Sequence, residues 1–160
     1  MLRSLMLCTV LLTLSSFACA PAERAETGER AETGEIESAG SVDAFALRVG
    51  DCFNDQSGTE VSDVPGVPCS EPHDNEVFAA FDLQMSAWPG DEVAGEAADQ
   101  GCLERFQPTI GATYEESIFE FFHLIPTADS WNIRDDREVL CAAYHMELEK
   151  LTQSVIGSGM

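Results

Sequence analysis

The stretch VPCSEPHDNEV, Val67–Val77, holds the densest set of residues with chemistry to offer in this chain. A proton-transfer site here would use His73 as a base, oriented by Asp74 or Glu76, with Ser70 as the nucleophile. A metal site would gather His73 with Asp74, Glu76 or the distant His123 and His145. A third reading needs no reaction. Pro72 fixes its own φ and biases Glu71 to an extended conformation, so the chain must turn after Cys69. His73 then bonds a backbone carbonyl, and Asp74 and Asn75 hold backbone amides.

The sequence favours the third. Ser70, Glu71 and His73 share one short loop, a poor support for a rigid triad. The chain has no G-x-S-x-G elbow, no H-E-x-x-H and no glycine-rich phosphate loop. It has three histidines, none paired four residues apart. No catalytic residue, metal or cofactor is therefore assigned. Pro72, His73, Asp74 and Glu76 are kept as a binding or structural motif centred on a locked corner. Trp131, in PTADSWNIRDDR, poses a similar choice. It is either a core plug or an exposed anchor beside Arg134 and Arg137, the pairing found at interface hot spots.

These residues need a scaffold, and the cysteines outline one. Cys52, Cys69, Cys102 and Cys141 lie in the part of the chain with alternating apolar runs, residues 44–160. None is spaced as a zinc knuckle, and an even number in an exported small domain points to disulfides. FALRVGDCF reads as a strand, and the turn-rich NDQSGTEVSDVPG precedes a second extended run ending at Cys69. Cys52 and Cys69 thus flank a hairpin-like excursion and are expected to pair. PGDEVAGEAADQGCLERF reads as a helix, with Pro89 suiting its first turn and Asp91 and Glu92 complementing its dipole. Ala94, Ala98, Cys102 and Phe106 recur on one face, pointing Cys102 at the core. Cys141 lies in EVLCAAYHM, a strand expected beneath that helix, so Cys102 and Cys141 make the second pair.

Two more strands are expected at Glu76–Leu83 and Ser117–Ile125, rich in aromatic and β-branched residues. In the second, Phe119 and Phe121 share a face with His123, and Ile118, Phe122 and Leu124 share the other. Trp88 is expected to staple the helix entrance. The fold class is α+β: a small disulfide-stapled antiparallel sheet of about five strands with one main helix packed across it. Periodicity leaves the tail LTQSVIGSGM open, either a short edge strand or a frayed end.

Upstream, residues 1–19 have the layout of a secretory signal: Arg3, an apolar run from Leu5 to Leu14, then small residues. The run is shorter than the roughly 20 residues of a membrane span. SFAC resembles a lipobox, which makes Cys19 the lipidated residue; ordinary cleavage after Ala20 would leave Pro21 first. Residues 20–43 carry ERAETG twice in tandem and, through Ser41, one large aliphatic residue, Ile36. They read as a disordered acidic tether. The chain has 29 acids against 8 bases, a net charge of −21. Such a surface repels nucleic acid.

RVGDCF, VPCSEPHDNEV, the helical Cys102, Trp131 ahead of Arg137, and VLC at Val139–Cys141 together resemble the septum-formation domain of bacterial envelope proteins. The likeness runs from about Ala46 to Lys150, with the cysteine-proline-histidine core as its most specific part. In NIRDDR the chain departs from the pattern, with Asp135 in place of a turn glycine. The resemblance implies a link to division or envelope growth and defines no reaction. The expectation is a non-enzymatic, extracytoplasmic binding or scaffold module, lipid-anchored at the outer face of the cytoplasmic membrane, or secreted if Cys19 is not lipidated. Its partner is not identified by sequence. The alternative is an envelope enzyme or metal-dependent sensor centred on His73.

Overall fold

A computed structural model describes residues 28–31, 34–57 and 62–160. The signal segment and Cys19 lie outside the described residues. Among the described residues the strands and α-helices run β1 (Gly40–Asp43), β2 (Cys52–Phe53), β3 (Asp63–Val67), β4 (Asn75–Asp82), α1 (Asp91–Ile110), β5 (Phe119–Leu124), α2 (Ala128–Arg134) and β6 (Glu138–His145). All six strands form one sheet in the order β1-β3-β2-β4-β6-β5, and every pairing is antiparallel. The α+β architecture expected from sequence is the one observed.

Each face of the sheet has its own core. Strand alternation sends Val139, Cys141 and Ala143 of β6 toward α1, and Leu140 and Ala142 to the other side. Phe119 and Phe121 join the helix side, and Phe122 and Leu124 the opposite one. On α1, Ala94, Ala98, Cys102, Phe106 and Ile110 are all fully buried. Phe106 meets Phe78 and Tyr114 edge-on, with ring centroids 5.6 and 5.3 Å apart. Gly101 lets the helix settle onto β4, because a Cβ there would stand 2.1 Å from the tip of the Phe81 ring. A register shift between Val77 and Ala79 bulges β4, so that Phe78 and Ala79 both point to the helix side.

The two cross-links join Cys52 to Cys69 and Cys102 to Cys141, with Cα atoms 5.2 and 5.6 Å apart. Their sequence separations of 17 and 39 residues correspond to about 3 and 4 kcal/mol of loop entropy. The second passes directly from helix to sheet, as the apolar face of α1 required.

Several expectations are corrected. The tether does not run to residue 43. Gly40–Asp43 forms β1, Ile36 is buried, and Arg30 from the second repeat reaches Asp51 with a two-pronged contact of 2.7 and 3.0 Å. Asp51 is only 2% exposed, and a buried carboxylate needs a cation. FALRVGDCF is not one strand: Ala44–Ala46 make a single 3-10 turn and Gly50 adopts φ 91°, leaving Cys52–Phe53 as the paired portion. Pro89 lies before the cap, since α1 starts at Asp91 behind Gly90. A second helix, α2, occupies part of what reads as a loop, opened by a reciprocal pair of bonds between Thr127 and Ser130. Asp135 closes it in the left-handed conformation (φ 57°, ψ 29°), the backbone region that a glycine enters without strain.

Candidate functional site

The VPCSEPHDNEV corner packs between β2 and the C-terminal tail. Leaving β3 at Val67, the chain passes the half-buried Cys69 and exposed Pro72 before turning inward at His73, which is fully buried. His73 and Leu151 exchange two backbone bonds, at 3.0 and 2.8 Å, in an isolated bridge. Nδ1 of the imidazole lies 2.7 Å from the Glu71 carbonyl, which can only accept, so Nδ1 carries the proton. Nε2 is buried with no hydrogen-bond partner among the described residues. Burial pushes the His73 pKa down, and the Glu71 carbonyl and Asp74 only partly oppose it.

Asp74 sits at the rim. It pairs with Lys150 at 2.7 Å and accepts the Asp55 amide at 2.9 Å. Its burial favours a raised pKa, but these donors outweigh it and hold the carboxyl below its usual range. Glu76 is buried opposite Cys52 in the sheet register. Its carboxylate accepts the Ser154 hydroxyl at 2.7 Å and the Val155 amide at 2.6 Å. Burial pushes the Glu76 pKa up, and the two donors counter it in part. The tail is therefore neither a regular strand nor frayed. It is a clasp, held by Glu76 and by the burial of Leu151 and Val155.

A His73 ring nitrogen, a Glu76 carboxylate oxygen and Cys52 Sγ all lie within 4.8 Å of one another. This is a donor set for a soft cation only on paper, because the sulfur is tied to Cys69 and is no thiolate. Ser70 is exposed and Asp74 is engaged with Lys150, so the Ser-His-Asp arrangement is not assembled. His123 bonds Asp99 at 2.9 Å on the α1 side of the sheet, and His145 lies at the far end of β6.

Trp131 is the core plug, at 2% exposure, with Trp88 against it at 5.4 Å. The Arg137 guanidinium stacks 3.7 Å over the Trp131 ring and donates to the Trp131 carbonyl at 3.1 Å. The exposed-anchor reading is not the one observed: Trp131 is buried, and the part-exposed Arg137 covers its ring while pairing with Asp135.

The exposed features lie elsewhere. A groove of about 490 Å³ opens between the 3-10 turn and the β5–α2 connection, lined by Phe45, Leu124, Ile125, Pro126, Arg134 and Glu138 among others. Phe45 at its mouth is 60% exposed, and Ile133 of α2 is 78% exposed. Nothing local in the sequence marks this groove, since its walls come from three separate segments. No helix among the described residues is long and apolar enough to cross a membrane.

A family model described as septum formation matches residues 16–158. The chain belongs to this family. The match takes in the corner, both disulfides, the Trp131–Arg137 stack and the tail through Ser158. The family description ties the chain to a septum- or envelope-related role. No curated protein and no solved structure matches it.

Proposed function

We propose that this chain is a non-enzymatic binding module, held at the outer face of the bacterial cytoplasmic membrane through a lipid on Cys19, and serving septum-linked envelope assembly by docking a protein partner. The observation that supports this most is where the polar groups go. His73, Glu76, Asp51 and Asn75 are 0–3% exposed, and the side chains of the last three each bond groups of the chain itself. What the surface offers is an open apolar groove with Arg134 and Glu138 beside it, the composition of a docking site rather than of a reaction centre. The large negative charge of the chain suits a soluble, extracytoplasmic surface and disfavours nucleic acid.

Two measurements test this reading. Cys19→Ala is expected to release the protein from membranes, and mass spectrometry of the wild-type N-terminus to find the lipid on Cys19. An unmodified N-terminus at Pro21 would replace the anchor with secretion. For the alternative, a metal-dependent sensor at His73, metal analysis of the folded protein is decisive: a stoichiometric metal lost in folded His73→Ala would establish it over the binding module.

A further inference from the structure

The two disulfides occupy opposite environments. Cys102 and Cys141 are both fully buried, and the cluster around them is built from alanine, valine, leucine, isoleucine, aromatic and methionine side chains. No nucleophile can approach either sulfur without opening the core. In the other bridge Cys52 is fully buried while Cys69 is half-buried. Cys69 lines a cavity of about 460 Å³ that also takes in Ser70, Pro68, Ile156 and Glu76. Cys69 is thus the more accessible member, its Sγ 3.3 Å from the Gly50 carbonyl, while Cys52 faces ionisable groups.

Those groups have the layout of a proton carrier. The His73 ring is held by Nδ1–H to the Glu71 carbonyl, which leaves the Nε2 lone pair as its unused valence. A ring nitrogen of His73 and a Glu76 oxygen lie within 4.8 Å of Cys52 Sγ. A backbone carbonyl orienting an imidazole whose far nitrogen serves a sulfur is the arrangement that activates a thiol. The corner accounts for every other polar atom of His73. Nε2 alone has no structural task.

We infer that Cys52–Cys69 is an exchangeable disulfide, opened at Cys69 by an external dithiol, with His73 carrying the proton of Cys52. In the first step the dithiol's thiolate forms a bond to Cys69 Sγ while the Cys52–Cys69 bond breaks, and the electron pair leaves on Cys52 Sγ. The proton released by the attacking thiol, held on His73 Nε2, neutralises the Cys52 thiolate. The reductant's second thiol then displaces Cys69, forming the reductant's own disulfide and leaving both cysteines as thiols. Two electrons pass from dithiol to protein, and the reverse path closes the bridge with His73 as the base. This goes beyond the docking role and does not depend on it: failure of exchange leaves the groove untouched, and loss of partner binding leaves the exchange intact.

The experiment uses dithiothreitol as the probe on the oxidised, folded protein, with acid quenching, alkylation and peptide mapping. At a limiting dose Cys52 and Cys69 are expected to be alkylated while Cys102 and Cys141 remain linked and the circular dichroism stays native. In folded His73→Gln, opening and reclosure are expected to be about a hundredfold slower near neutral pH, the low end of what a positioned acid–base group contributes. The ratio to wild type should shrink as pH rises and Cys52 ionises unaided. Both bridges opening together at every dose, or a folded His73→Gln that exchanges at the wild-type rate across pH, would overturn the inference. The selectivity arm needs no variant and decides the matter if His73→Gln fails to fold.

Discussion

Removing residues 154–160 tests how far the tail belongs to the domain. The deletion takes away Val155, which is 1% exposed, and both donors to the Glu76 carboxylate. It also removes the Gly157 and Gly159 amides from Thr109 and Ile110 at the end of α1. Burial of Val155 is worth about 1.5–2 kcal/mol, and stranding a buried carboxylate adds about 1.5–3 more, so the loss is about 3–5 kcal/mol. Against a typical stability of about 5–15 kcal/mol this is a large share, and the melting temperature should fall by roughly 10 °C or more. Glu76→Gln alone should cost about 0.5–1.5 kcal/mol, because its amide oxygen can still accept the Val155 N–H and its NH2 can donate to the Ser154 hydroxyl, but charge-assisted bonds become neutral ones. The discriminating assay is a denaturant-unfolding cycle over both changes. Deleting the tail from Glu76→Gln should cost at least about 1 kcal/mol less than deleting it from wild type, the coupling expected of groups in contact. A truncated protein within about 0.5 kcal/mol of wild type, or strictly additive changes, would refute the clasp.

Three further outcomes follow from the same geometry. The His73 pKa is lowered from 6.5 by burial, so the unfolded chain takes its proton first, and stability should drop as pH falls below about 6.5. Glu76 has the opposite sign: its pKa is raised from 4.5, so its share of stability is present below that value and is lost as pH rises through the raised one. Unfolding measured between neutral and mildly acidic pH should therefore show His73→Gln losing less stability than wild type, and parallel curves would contradict the assignment. Gly101→Ala drives a methyl into the Phe81 ring, and chemical unfolding should show a loss of about 1–3 kcal/mol where helix propensity alone would give a gain. Tyr114, whose hydroxyl donates to Glu120, has its pKa pushed up to about 12, so tyrosinate absorbance in a Tyr144→Phe background should rise about there and shift down in Glu120→Gln.

The legible parts of the fold were those written in local periodicity. The four-residue recurrence along α1 placed Cys102 in the core, and the alternation of β6 placed Cys141 beneath it, so the pairing followed from faces rather than from a count of cysteines. The Pro72–His73 corner was legible because proline restricts its neighbours. What escaped was long-range. Arg30 belongs to a repeat whose composition reads as solvated, and only the fold shows that the buried Asp51 needs it. The tail carries no strand signal because its holding bonds come from the Glu76 side chain and a two-residue bridge rather than a ladder. α2 was readable in principle from Thr127 and Ser130 at capping spacing with Arg134 in the last turn, but seven residues give too little periodicity to outweigh the turn-forming composition. The groove could not be read at all, since Phe45, Ile125 and Arg134 meet only after β5 has taken its place at the sheet edge.

The central claim is that the anchored domain docks a partner through the groove beside Phe45. Its most direct test places a photo-activatable side chain at position 45, and separately at the exposed Gln100 on the outer face of α1, in cells expressing the full chain. The account predicts a discrete envelope-protein adduct from position 45 that is absent from position 100. Equal labelling from both positions, or no adduct from position 45 in folded and membrane-bound protein, would contradict it.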